Sequence, residues 1–515
     1  MAANGTHTNG DSALPKAKDL WHHLSPEALS RRPSPLKTAF KYAVDPRIVS
    51  LGGGLPLPAY FPFEKITATA PEPPFLTYND PVKSKDAPML TVEVGRYNHE
   101  QDPGMIPLAT AMQYGQSDGA PPLLNWIKEH TRLVHHPPYS NWGCLMTVGN
   151  TQGLDAALRL LTSRGDSILA EEYTFSSAME TAHAQGVRSV PVKVDLEGIL
   201  PTELEAQLAA WEGPLPKFLY TIPTGQNPTG GTLSSERRKE VYKVLSKYDI
   251  LIVEDEPYYF LQMDSYVPGA SANAPTPPPT LAEDPQKHIK FLSQMVTSYL
   301  SLDIDGRVLR LDSFSKVMAP GTRLGWIVAQ EPFIERLMRQ NEVSIQTPAG
   351  FTQSIVFSLL SKWGQDGYLD WLVELRKEYT HRRNVCIDGL AEYFVKPSSF
   401  APKGLTSVVE WKAPTAGMFF WLKFDARKHP KYGTLTPLEI EKEIYEAAIE
   451  HGVLFIPGSW FRADQDPIDE SIEPADDQPV DIFFRGTFAT VPQDKLLQGL
   501  KLFAETIATE FGLSH

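Results

Sequence analysis

The sequence predicts an α/β protein: a mainly parallel sheet between helices, with a smaller α+β domain attached. Three observations carry this. The runs 167–170, 217–222, 250–253 and 308–311 are apolar but for Ser167, Lys217, Thr221 and Arg310, as strands covered on both faces tend to be. Helical patterns separate most of them, the rhythm of parallel strands joined by crossovers. Past residue 366 the pattern changes, and strands near 419–422 and 482–485 mix with helices near 437–451 and 494–515. At 515 residues, 42% hydrophobic and 21% charged, the chain can bury a large core.

Taken in order, residues 1–18 are rich in Asn, Gly, Thr, Ala and Ser and read as a disordered tail. Residues 19–110 read as a segment contributing to the small domain, with 71–107 a long insertion without periodicity. Gly52-Gly53-Gly54 separates an apolar run from Pro56, where bare backbone can approach a neighbour closely. A large domain is expected over 111–365 and a small one over 366–515. Pro121 and Pro122 open a helix. Gly149 turns a strand at 146–148 into a helix whose Leu154, Ala157, Leu158 and Leu161 share a face. Ser234 or Ser235 caps a helix ending near Tyr248. Residues 268–285, with Pro277-Pro278-Pro279 among them, read as an exposed, mobile low-complexity loop. Helices follow at 331–341, 352–362 and 367–393, and 464–481 is an acidic surface excursion.

Open parallel sheets place ligands beyond the carboxyl ends of their strands. Polar residues fall at those ends: Asn150 and Thr151 after one strand, Asn227 after another, Asp255 and Tyr258 after a third, Lys316 after a fourth. Any one could be structural; four in equivalent places argue for a site. Lys316 lies between two apolar runs, close behind Ser313 and Ser315 and seven residues before Arg323. A lysine on a water-poor strand edge can lose its proton and attack a carbonyl, and two hydroxyls with an arginine suit a phosphate. Together they describe a lysine that holds pyridoxal phosphate as a Schiff base and then moves a proton. On that chemistry Asp255 holds the proton of the ring nitrogen, and Asn227 and Tyr258 donate to the phenolic oxygen. Asn150, Thr151, Ser313, Ser315 and Arg323 take the phosphate at a helix N-terminus, and Phe175 stacks on the ring.

Gly52-Gly53-Gly54-Leu55-Pro56, Gln113-Tyr114, Gln226-Asn227-Pro228-Thr229-Gly230, Asp255-Glu256-Pro257-Tyr258-Tyr259-Phe260-Leu261 and the Ser313–Arg323 stretch occur in this order. Together they resemble the class I aminotransferases, the fold type I pyridoxal phosphate enzymes. Within that class the chain is similar to fungal aromatic amino acid aminotransferases and to kynurenine/2-aminoadipate aminotransferases. The resemblance implies transfer of the amino group of phenylalanine, tyrosine or tryptophan to 2-oxoglutarate. 2-Aminoadipate or kynurenine as donor, or another reaction on the same fold such as C–S lysis, are the alternatives. It further implies that Arg485 grips the substrate α-carboxylate and that Gly54 lies close to the substrate. Tyr114 would reach the phosphate of a neighbouring subunit, making a homodimer with shared active sites. Phe175 stands where many relatives carry tyrosine, and Lys37 where those acting on 2-aminoadipate often carry arginine. Lys37 is the expected cation for the far carboxylate of 2-oxoglutarate, on a segment that moves.

The net charge of −14 gives no bulk attraction for nucleic acid. Cys144 and Cys386 make neither a disulfide framework nor a metal spacing, so no metal is expected. No apolar run is long enough for a bilayer, and the first residues lack a signal core, so the cytosol is the expected location.

Overall fold

The structure is a computed structural model. It describes residues 14–35, 42, 47–49, 51–52, 54–73, 88–98, 104–272, 278–395, 405–464 and 480–513. Lys37, Gly53 and most of the acidic 464–481 stretch lie outside these.

Its centre is a seven-stranded sheet. The spatial order is Trp142–Thr147, Gly325–Gln330, Val308–Ser313, Leu251–Asp255, Phe218–Thr221, Ser167–Glu171, Arg188–Val192. Gly325–Gln330 runs antiparallel to both its neighbours, and the other pairings are parallel. The six strands other than the Arg188–Val192 edge are buried at every residue, which explains their largely apolar character; of the charged residues they carry, Glu254 and Arg310 are paired with each other. Helices Pro121–His135, Asn150–Leu161 and Ser235–Lys247 pack on the sheet, the last capped by Ser234, whose hydroxyl accepts from Arg237 N. Truncating a fully buried strand residue such as Ile252 or Leu311 would cost about 2–5 kcal/mol.

A second core forms around a four-stranded antiparallel sheet, Val409–Glu410, Phe419–Asp425, Asp481–Thr487 and Ile456–Pro457. Helices Pro437–Glu450 and Gln493–Glu510 cover it. Between Gly350 and Leu390 run two helices that break at Gly364 (φ +65°), as expected for 352–362 and 367–393, and the second supplies residues to both cores.

Four expectations need correction. Residues 15–18 are tied down: Ser140 N donates to Pro15 O (2.8 Å), Lys18 N to Asp305 O (2.9 Å), and the Lys18 ammonium pairs with the Asp305 carboxylate at 2.7 Å. The stretch 71–107 is not featureless, because Lys65–Pro71 and Met89–Gly95 form an antiparallel hairpin. Leu90, Val92 and Val94 alternate with exposed residues, a period-two signal visible in the sequence and missed among the prolines. Finally, Leu20, Leu24, Ala28 and Ile106 belong to the large core rather than the small one. The low-complexity loop is likewise partly anchored, since Gly269 N and Ser271 N donate to the Asp388 carboxylate (2.8 and 3.2 Å).

Candidate active site

The register of the sheet aligns the reactive positions. Leu311 pairs with Asp255 and Tyr220 with Val253, so Tyr220, Asp255 and Ser313 all sit at the carboxyl edge. The cleft there holds about 270 Å³ and is lined by Asn150, Thr151, Phe175, Asn227, Asp255, Tyr258, Ser313, Ser315, Lys316 and Arg323. Ten residues proposed from sequence alone are thus brought together.

Asp255 is the middle of three acids in a row, and the three are treated differently. Successive strand residues point to opposite faces. Glu254, fully buried, meets Arg238 at 3.5 Å and Arg310 at 3.2 Å. Glu256 meets Arg238 at 3.2 Å and accepts from the Thr224 hydroxyl at 2.8 Å. Asp255 has no cation beside it among the described residues. Asn150 Nδ2 donates to its Oδ1 (2.7 Å) and the Tyr220 hydroxyl to its Oδ2 (2.8 Å). Burial pushes the Asp255 carboxyl up to about 6, against the pull of those two bonds.

Lys316 is the counterpart. No acid stands beside its amine among the described residues, and burial, followed by the charges of Arg323 and Arg485, holds it below the usual lysine range. Around it the phosphate-type donors are already ordered. Ser313 Oγ donates to Ser315 Oγ at 2.7 Å, and Arg323 Nη2 donates to Val148 O at 3.0 Å. Arg323 lies across the glycine turn that starts helix Asn150–Leu161. A Cβ at Gly149, where φ is +82°, would come within 2.5 Å of Arg323 Nη2, so only glycine leaves room for the guanidinium. That helix has no side-chain cap, which leaves its first amides available to an anion.

Arg485 enters from the other core, on strand Asp481–Thr487. Its Nη1 donates to Asn227 Oδ1 at 2.7 Å, and its guanidinium lies between the rings of Phe419 (4.5 Å) and Phe461 (4.7 Å). The stacking fixes the plane of the fork. Asn227 is left with its amide N–H groups to donate, as expected of it. The loop carrying it rests on Glu171, which accepts from Thr221 Oγ1 (2.7 Å), Ile222 N (3.2 Å) and Gln226 Nε2 (3.2 Å).

One expectation is not met. The Asn150 side chain is spent on Asp255 and on Leu311 O (3.0 Å) rather than directed to the Arg323 cluster. Tyr114 is exposed and lies outside the cleft of its own chain, the contact expected of it being with a neighbouring subunit. A Cβ at Gly54 would meet no atom of this chain within 4 Å. Three residues escaped the sequence reading: Tyr220, Phe419 and Phe461. Tyr220 and Phe419 sit inside apolar strands, where a tyrosine or phenylalanine reads as ordinary core, and Phe461 sits in a short aromatic stretch.

The family described as aminotransferase class I and II matches residues 108–500. An aromatic amino acid aminotransferase of Schizosaccharomyces pombe is 41% identical over 503 residues, covering 96% of this chain and 98% of that protein. An L-tyrosine:2-oxoglutarate aminotransferase of Tapinella panuoides is 34% identical and covers 97% of each chain. The crystal structure of the aminotransferase Aro8 from Candida albicans superposes with a TM-score of 0.86 at 48% identity, covering 97% of this chain and all of that one. The chain belongs to the class I and II aminotransferases.

Proposed function

We propose that the protein moves the amino group of aromatic amino acids to 2-oxoglutarate, using pyridoxal phosphate. The observation that carries the cofactor is the charge of the cleft. A buried carboxylate without a cation is costly unless a ligand supplies one, and a protonated ring nitrogen would do so at Asp255. At the opposite end Lys316, Arg323 and Arg485 have no acid beside them among the described residues, which suits a phosphate of about two negative charges and a substrate carboxylate. The residues therefore fit the group. When bound, pyridoxal phosphate supplies an aldehyde that accepts the amino group and a protonated ring that stabilises charge at the substrate α-carbon.

The chain's residues divide the remaining work. Ser313, Ser315, Arg323 and the amides of Asn150 and Thr151 would hold the phosphate. Asn227 and Tyr258 would donate to the phenolic oxygen, and Phe175 would line the ring. Arg485 orients the amino acid through a bidentate grip on its α-carboxylate. Lys316, with its proton affinity lowered, takes the α-proton and returns it one position away.

Aromatic donors are supported by the names of the relatives and by the apolar rings of Phe419 and Phe461 beside Arg485. For 2-oxoglutarate the second cation is Lys37, brought in by the N-terminal segment. We also place two copies in a homodimer in the cytosol, with Tyr114 reaching the partner's phosphate. Exposed Val49, Leu51, Leu57 and Tyr60 form a strongly apolar run. It is joined to the Tyr114 region through Gln113 Nε2, which donates to Pro56 O at 2.8 Å.

One spectrum tests the reaction. Phenylalanine added alone should convert the bound cofactor to its aminated form, and 2-oxoglutarate should convert it back. Release of the substrate side chain without that change would mean a lyase. A k_cat/K_M for aspartate above that for phenylalanine would overturn the aromatic pocket.

A further inference from the structure

Asp255 is held at both oxygens by donors of unlike kinds. Asn150 lines the cleft and divides its amide between Asp255 and Leu311 O. Tyr220 lies on the adjacent strand, fully buried, and gives its hydroxyl to Oδ2 at 2.8 Å. An amide N–H can only donate, so Asn150 favours the form of Asp255 that can only accept, the charged one. The Tyr220 hydroxyl, donating, selects the same form at the second oxygen. It is also the bond that sets which way Oδ2 turns, because the ring that carries it is locked in the core. The other ionisable groups around the carboxylate oppose this choice. Asp312, on the neighbouring strand, and Glu171, at the end of Ser167–Glu171, both act on it as like charges. Tyr258, from the loop that follows Asp255, is held up by it in turn.

We propose that Tyr220 is a positioning residue for this aminotransferase: its hydroxyl keeps Asp255 charged and aimed at the ring nitrogen of the cofactor. The proposal rests on the reading of Asp255 given above. Nothing in the sequence marks Tyr220 for this, since it sits in the apolar run before Pro223.

Tyr220→Phe keeps the ring and removes the bond. In the apoenzyme, the carboxyl band that Asp255→Asn abolishes in difference infrared spectra should titrate about one pH unit higher in Tyr220→Phe than in the parent, since a hydrogen bond to a charged group is worth about tenfold or more. Cofactor affinity should fall about twofold at pH 7 and about tenfold below pH 6, and the acid limb of kcat/KM should move up by about one pH unit, with most activity recovered at alkaline pH. Site-specific 3-fluorotyrosine at 220, a stronger donor, should shift the same titration downward, and it keeps the test valid if the phenylalanine variant is unstable. If Tyr220→Phe lowers only the melting temperature and leaves the Asp255 titration and the acid limb where they were, the tyrosine is mere packing and the proposal fails. If Asp255→Asn itself binds cofactor and turns over like the parent, it is the role of Asp255 that fails.

Discussion

The strand Leu251–Asp255 has two sides that handle charge in opposite ways. On one, Glu254 and Glu256 meet Arg238 and Arg310, and Arg310 goes on to grip Asp312 through Nε (2.7 Å) and Nη2 (2.8 Å). On the other, Asp255 faces only neutral donors, and Lys316, Arg323 and Arg485 face no acid among the described residues. Asp255 is buried like Glu254 and Glu256, so among these three acids burial is not what separates a structural charge from a working one. The separating property is whether the fold itself supplies the opposite charge. A cluster that closes its own account stabilises the sheet; one left open waits for a ligand.

Substitutions on the two sides should therefore fail differently. Lys316→Ala should have the largest effect, a loss of turnover on the order of 10²-fold or far more, with the circular dichroism spectrum and melting temperature of the apoenzyme close to those of the parent. Near-normal transamination by that variant would remove the lysine from the mechanism.

Next in size, Asp255→Ala should lower k_cat on the order of 10²-fold by leaving the ring nitrogen without its partner, and Asp255→Glu should be milder. Glu254→Gln should do the reverse. Breaking a buried pair costs about 3–5 kcal/mol, seen as a lower denaturation midpoint, while k_cat of the folded fraction is kept. Equal catalytic losses in the two variants would erase the distinction between the sides.

A smaller effect is expected of Arg485→Lys. The charge survives but the planar fork between Phe419 and Phe461 does not, so K_M for phenylalanine should rise about tenfold with a lesser change in k_cat. An unchanged K_M would place the α-carboxylate elsewhere.

The mildest perturbation is pH. The Asp255 carboxyl of the apoenzyme sits near 6, above its ordinary value, because of burial. A group raised in this way favours the folded state fully below its unfolded value, near 3.9, and loses that contribution as pH rises through 6. Catalysis needs the charged form, so the sign is opposite. Cofactor affinity measured by titrating the apoenzyme should weaken as pH falls through 6, and Asp255→Asn should flatten that dependence. Affinity that strengthens toward acid would argue against a cationic ring at Asp255.

The sequence by itself determined where the site would be. Mostly apolar strands announce a covered parallel sheet, ligands sit beyond the carboxyl ends of such strands, and the residues at those ends can be read off by counting. That is why Asn150, Asn227, Asp255, Tyr258 and Lys316 were legible as a group. The tertiary structure alone decided which groups meet. Glu254, Asp255 and Glu256 are equivalent in sequence; which of them stays without a cation depends on Arg238 arriving on a helix and Arg310 on the adjacent strand. Asn227 and Arg485 are 258 residues apart, and Tyr220 reaches Asp255 only because the sheet order sets their strands side by side. The ordering of residues 15–18 was hidden for the same reason. Local composition reports what a segment cannot bury by itself, and says nothing of the partner, here Asp305 and Ser140, that another part of the chain brings to it.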